Sequence, residues 1–167
     1  MTIAKVYAAG KVRRWHANPA LADTAQTNAD HQGACVQLLL MLHPAPTVAL
    51  IRAVAHHDVG ERWVGDVPYP FKISSPSAAV VHQRAEAKAR DDVFDGDPVE
   101  QIGGRDLAWL NLVDRLESFC HVAVTRPHEL GRDGWPHAVN MLRQMAADLG
   151  VDVQVDRLID DMELRDW

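Results

Sequence analysis

The chain has 167 residues, 47% apolar and 24% charged, with a formal net charge of −6. That length fits one domain, residues 1–167, with an ordinary core, and the composition argues against disordered and membrane-embedded classes. The acidic balance argues against affinity for a nucleic-acid polymer, whereas a small phosphorylated ligand needs only a few local cations.

The apolar periodicity is helical nearly throughout and predicts an all-α fold, with helices over 3–14, 30–43, 47–58, 77–92, 105–124, 135–149 and 154–165. The start, MTIAKVYAAGKVRRW, has basic residues but no continuous apolar stretch followed by a cleavage site, so no signal peptide and a cytoplasmic location are expected. HANPALADTAQTNAD, residues 16–30, reads as a long connection, after which Asp30 or Asn28 can cap the second helix. The longest apolar run, VQLLLML, falls short of the roughly 20 residues that cross a bilayer, so no membrane partner is expected. Pro44 and Pro46 separate the second and third helices, and ERWVGDVPYPFKISSP, residues 61–76, reads as a second long connection stiffened by proline. Gly103-Gly104 precedes the fifth helix, Pro127 follows it, and Gly150 ends the sixth. Long connections in an all-helical domain are usually functional, so the expectation is a helical bundle with two functional loops. Cys35 and Cys120 read as buried free thiols of a reducing compartment, and Trp135 and Trp167 make a homo-oligomer plausible.

The segment AVAHHDVGERWVGD, Ala53 to Asp66, concentrates the polar chemistry. At about 100° per residue, His57 lies in line with Leu50 and Val54, Asp58 with Ile51 and Val54, and His56 beside Arg52 on the polar side. His31 continues the stripe of Cys35, Leu38 and Leu42, and Asp114 stacks on Leu107 and Leu110. Four polar groups, His31, His57, Asp58 and Asp114, thus point inward from three helices. Burying a lone carboxylate costs several kcal/mol unless it is paired or metal-bound. Two imidazoles and two carboxylates make a mixed nitrogen and oxygen set suited to one divalent ion such as Co²⁺, Mn²⁺ or Zn²⁺. Taken singly, each position also fits a hydrogen-bonded core histidine or an acid paired with Arg115 or Arg62. His16, His56, His82, His121, His128 and His137 join no constellation.

The order H…HD…D resembles the HD-domain metal-dependent phosphohydrolase superfamily. More narrowly, RRWHANP, TNADHQ, AHHDVGERWVGDVPYPFK and NLVDRLESF resemble successive blocks of the YfbR-like 5′-deoxynucleotidases, over about Arg14 to Phe119. HD alone is a weak signal, and HDxxE followed by GDxPxPxK is a strong one. The resemblance implies His31, His57, Asp58 and Asp114 as metal ligands. It implies Glu61 and Asp66 as the acidic pair that activates water and protonates the leaving oxygen, with the division of labour open. It further implies Arg14 and Lys72 as phosphate contacts, Trp15 as the residue packing on the sugar, and Pro70 as a lining of the base pocket. The family often has a lysine three residues before the last ligand, where this chain has Asn111, and Lys88 or Arg84 could replace it.

The implied activity is metal-dependent hydrolysis of a deoxynucleotide. The RRWH start and the short chain lean toward the compact phage-encoded members that remove triphosphate from dATP, which would place the protein in a host cytoplasm. Arg13, Lys11, Arg84 and Lys88 are available for the longer phosphate chain. The alternative is a 5′-deoxynucleotidase acting on monophosphates. A catalytically silent nucleotide-binding module and a purely structural helical module remain as rivals of another class.

Overall fold

The computed structural model describes residues 2–132 and 134–164, the side chain of Tyr69 apart. Among them the chain is all-α, and the one β-type pairing is an isolated bridge between Arg13 and Thr27. The first helix, α1 (Ile3–Ala9), stops short of the expected 3–14. Gly10 approaches the next helix so closely that a Cβ there would lie 3.0 Å from that of Ala29. The chain leaves the helix at this point and runs beside residues 26–28. Asn28 N–H donates to the Val12 carbonyl and Arg14 N–H to that of Gln26, both at 2.9 Å. Arg14 and Trp15 are therefore set by backbone pairing, not by a helix end. Trp15 sits at φ 62, a left-handed conformation that costs a bulky residue about 1–3 kcal/mol.

The segment 16–30 contains a single 3₁₀ turn, Ala22–Thr24, before α2 (Asn28–Leu42). Thr27, rather than Asn28 or Asp30, caps α2. Its hydroxyl accepts from Asp30 N–H, and the Asp30 carboxylate accepts from Thr27 N–H at 3.0 Å, a reciprocal capping box. Thr47 caps α3 (Val48–His56), after which His57 to Gly60 form a tight turn.

The segment 61–76 differs from a loop, because it folds into α4 (Glu61–Val64) and α5 (Tyr69–Ser74). Gly65, at φ 81, parts the two. Pro68 and Pro70 stand at the start of α5, where a missing N–H breaks no helical bond. The remaining helices are α6 (Pro76–Phe94), α7 (Arg105–Thr125), α8 (Trp135–Leu149) and α9 (Asp152–Leu164).

The main core forms around α7. Trp109, Leu112, Val113, Leu116 and Phe119 meet Cys35 and Leu39 of α2, Leu50 and Val54 of α3, Leu142 and Ala146 of α8, and Val155 and Ile159 of α9. Each fully buried leucine or isoleucine contributes about 1.5–3 kcal/mol. A smaller cluster, Ala9, Val59, Val93 and Phe94, lies at the turn after α3. Trp135 is partly buried against the core, and Trp167 lies outside the described residues. No described helix is long and apolar enough to cross a membrane.

Candidate metal centre

His31 is fully buried on α2, four residues before Cys35, where the helical stripe meets α7. His57 and Asp58 occupy the turn that follows α3, and Asp114 projects from α7. The fold brings all four together. His31 Nε2 lies 3.1 Å from Asp114 Oδ1 and 3.5 Å from Asp58 Oδ2. His57 Nε2 lies 3.4 Å from Asp58 Oδ1 and 3.7 Å from Asp114 Oδ1. The two Nε2 atoms are 3.2 Å apart. Asp114 is the most open member, its side chain 36% exposed.

The opposite ring nitrogens are already committed. His57 Nδ1–H donates to the Val54 carbonyl at 2.8 Å, and His31 Nδ1–H donates to the Glu117 carboxylate. A carbonyl and a carboxylate only accept here, so both Nε2 lone pairs face each other with two carboxylates beside them. Such a cluster needs a cation between its members. In the metal-free protein a proton fills that need. Burial disfavours charge on His57, but Asp58 and Asp114 outweigh it and push its pKa up to about 9. His31 is likewise raised, its burial outweighed by hydrogen bonds to Asp114 and Glu117. Asp114 moves the other way, as bonds to His31 and His57 overcome its burial and hold it well below the usual carboxylate range.

A divalent ion fits the same donors. His31, Cys35 and His57 each offer an atom within 4.8 Å of the others, so this buried group alone could hold a metal. The acids complete the set better than the thiol. Cys35 Sγ is 3.7 Å from both ring nitrogens of His31, a contact along neither lone pair, and 3.6 Å from the Val113 carbonyl. Burial and the nearby acids push its thiol far up, away from thiolate.

Arg14 enters from the paired edge after α1. Its Nη1 donates to Asp58 Oδ2 at 2.5 Å and Nη2 to the Ser118 hydroxyl at 3.4 Å, while Nε is buried without a protein partner. Glu61 begins α4 one turn beyond Asp58 and accepts from the Asn28 amide at 2.8 Å. Burial, then the charges of Asp58 and Asp66, push Glu61 up to about 9, so its carboxyl holds a proton near neutrality. Asp66 is half-buried, near enough for its charge to act on Glu61. Trp15 is half-buried against His121, ring centroids 6.1 Å apart, with the Arg14 guanidinium 5.9 Å from its own ring. Pro70 and Lys72 are exposed on α5, and Lys72 acts electrostatically on Glu86, a neighbour of Asp58 and His57. Asn111 is exposed. His56 turns away, bonded to the Arg52 carbonyl at 2.8 Å and set against Phe94.

Several contributors escape a reading of the sequence alone. Glu117 stands three residues beyond Asp114, on the same face of α7, and that spacing is a usable signal. Arg90 donates to the His57 carbonyl at 2.9 Å, to Glu86 at 2.7 Å and to both oxygens of buried Asp97, clamping the His-Asp turn from behind. Gly60 lets α6 approach, since a Cβ there would come within 2.5 Å of the Glu86 carbonyl oxygen. Only the i, i+4 spacing of Glu86 and Arg90 is visible in sequence.

The raised histidine gives a stability prediction with a definite sign. Folded His57 binds its proton more tightly than an ordinary histidine of pKa 6.5, so its stabilisation is complete below pH 6.5. That stabilisation is lost as pH rises through about 9. In EDTA the urea midpoint is expected to fall between about pH 6.5 and pH 9.5, and H57N should flatten the fall. A midpoint that rises over this window would contradict the geometry.

Protein-family models, curated proteins and solved structures were each compared with the chain, and none matches it.

Proposed function

We propose that the chain is a metal-dependent phosphohydrolase of the HD-domain kind that cleaves a deoxynucleotide at its phosphate ester. The observation that carries this reading is the pair of Nε2 atoms 3.2 Å apart, their Nδ1 partners fixed, with Asp58 and Asp114 alongside. His31, His57, Asp58 and Asp114 would hold one divalent ion, of which Co²⁺, Mn²⁺ and Zn²⁺ suit the donors. Bound there, such an ion would supply Lewis acidity toward a phosphate oxygen and a water of lowered pKa.

The protein's own groups divide the remaining work. Arg14 already spans from Asp58 toward Ser118, and its unpartnered Nε is a buried donor suited to a phosphate oxygen. Glu61, a buried carboxyl one turn beyond Asp58, is placed to deliver a proton to the leaving ester oxygen. Asp66, whose charge reaches Glu61, can accept the proton of the attacking water. Trp15 offers an indole face flanked by Arg14 for the sugar, Pro70 an apolar edge for the base, and Lys72 an exposed charge for outer phosphate oxygens.

The proposed substrate is a deoxynucleoside triphosphate, dATP from the resemblance of the sequence blocks, giving deoxynucleoside and triphosphate. One observation favours the monophosphate reading instead. Lys11 lies over the Tyr7 ring at 5.0 Å and Lys88 is bonded to Asp92 at 3.2 Å, so two of the four cations expected to serve a longer phosphate chain are engaged elsewhere. Exposed Arg13 and Arg84 remain for it.

The test is incubation of the purified chain with each deoxy- and ribonucleotide, as mono- and triphosphate, with Co²⁺ or Mn²⁺, and separation of the products. Triphosphate released from dATP supports the first reading, and phosphate from deoxynucleoside monophosphates supports the second. No metal-dependent release from any of them contradicts both. In the active pairing, R14K is expected to raise KM by about tenfold or more while kcat changes less, because a point charge replaces a planar fork. An unchanged KM would remove Arg14 from the phosphate.

A further inference from the structure

The direction of every hydrogen bond behind His31 can be traced to one indole. The Trp15 N–H can only donate, and it meets Gln26 Oε1 at 2.7 Å. The Gln26 amide nitrogen is thereby turned toward Glu117, where it donates to Oε1 at 2.7 Å. The second Glu117 oxygen faces His31 Nδ1. Both oxygens of Glu117 therefore accept, Nδ1 of His31 carries the hydrogen, and Nε2 is left facing His57, Asp58 and Asp114. Gln26 and Glu117 are each 5% exposed, so solvent does not substitute for a missing partner. The chain joins a loop residue in a left-handed conformation to a ligand-type nitrogen two elements away.

We propose that Trp15, acting through Gln26 and Glu117, fixes which nitrogen of His31 is offered to a cation. Gln26 and Glu117 are then positioning residues, and the tryptophan that meets the sugar is tied to the metal site by one directional path. This inference rests on the metal-binding reading above. Because coupling is reciprocal, a change that draws the indole away from Gln26 weakens the hold on His31.

The test is a Co²⁺ titration of the full metal-free chain, followed by calorimetry and by the visible absorption of the ion. E117Q gives two donors a single acceptor and is expected to bind Co²⁺ about 10- to 100-fold more weakly. In E117Q/Q26E the carboxylate at 26 accepts from both Trp15 and the amide at 117, whose carbonyl accepts from His31. Every bond regains its direction, and the affinity is expected to return to within about fivefold of wild type. W15F, which lacks the originating donor, should fall between wild type and E117Q.

E117Q binding as tightly as wild type, or a double variant as weak as E117Q, overturns the inference. If E117Q does not fold, the double variant decides alone: within about fivefold of wild type supports the inference, and weaker binding overturns it. A wild-type chain that takes up no Co²⁺ overturns the metal reading itself, and this inference with it.

Discussion

Asp58→Ala is expected to abolish metal-dependent turnover, by on the order of 10³-fold or more, and to destabilise the metal-free protein as well. The carboxylate meets Arg14 at 2.5 Å, His57 at 3.4 Å and His31 at 3.5 Å, and against these stands repulsion from Asp114. Attraction wins. Asp58 is held below its ordinary pKa because His57, Arg14 and His31 outweigh its burial and its acidic neighbour. Removing it strands a guanidinium whose side chain is only 13% exposed, and breaking a buried pair in this way costs roughly 3 kcal/mol. Denaturation in EDTA should show that loss, and the Co²⁺ titration should show weakened uptake. A variant that keeps wild-type stability and binding would mean that Asp58 is not the hub of the cluster.

Glu61→Gln is expected to move activity and stability in opposite directions. Turnover should fall by about 10²- to 10⁴-fold, the usual contribution of a positioned proton donor. Stability should rise. Folded Glu61 titrates at about 9 against an ordinary 4.5, so the stabilisation that its neutral form gives is complete below pH 4.5 and lost as pH rises through about 9. Glutamine stays neutral throughout and keeps an oxygen for the Asn28 amide, whose bond to Glu61 is 2.8 Å long. At pH 7 the metal-free variant should therefore exceed wild type by on the order of 3 kcal/mol. The gap narrows when a cation is bound, because the positive charge then favours the carboxylate. Full activity in the variant, or lower stability near pH 8, would show that Glu61 is not a strained buried acid.

The first prediction concerns a residue whose inward placement could be read before any coordinates, whereas Glu61 falls in a segment that reads as a connection and is singled out only by the resemblance. Helical period alone aims His31 and Asp114 at a common interior, and it separates His57 from His56, because α2, α3 and α7 are regular enough for about 100° per residue to hold. Arg14 and Trp15 were legible only as residue types. Their position depends on Gly10 ending α1 against Ala29 and on pairing with residues 26–28, a tertiary contact with no local period. The prolines of 61–76 stiffen that segment by starting a helix, not by holding a loop, since Pro68 and Pro70 fall where helices tolerate them. Gln26 and Asp97 carry no pattern at all, because what matters about each is a partner distant in sequence or a bend that only the folded chain defines.

The geometry also orders the site by rigidity. Arg90, Glu86 and Asp97 brace the His-Asp turn, and Glu117 braces His31, so the donor atoms are held before any ligand arrives. Asp114, its side chain 36% exposed, is the most solvent-accessible of the four donors. Donors braced in this way are preorganised for a cation.

The most direct measurement is anomalous diffraction from crystals of the chain grown with Co²⁺. The account predicts one strong peak within bonding distance of His31 Nε2, His57 Nε2, Asp58 and Asp114, with Cys35 uncoordinated. A peak held by Cys35 and the two histidines with both carboxylates turned away, or no peak between the imidazoles, would contradict it.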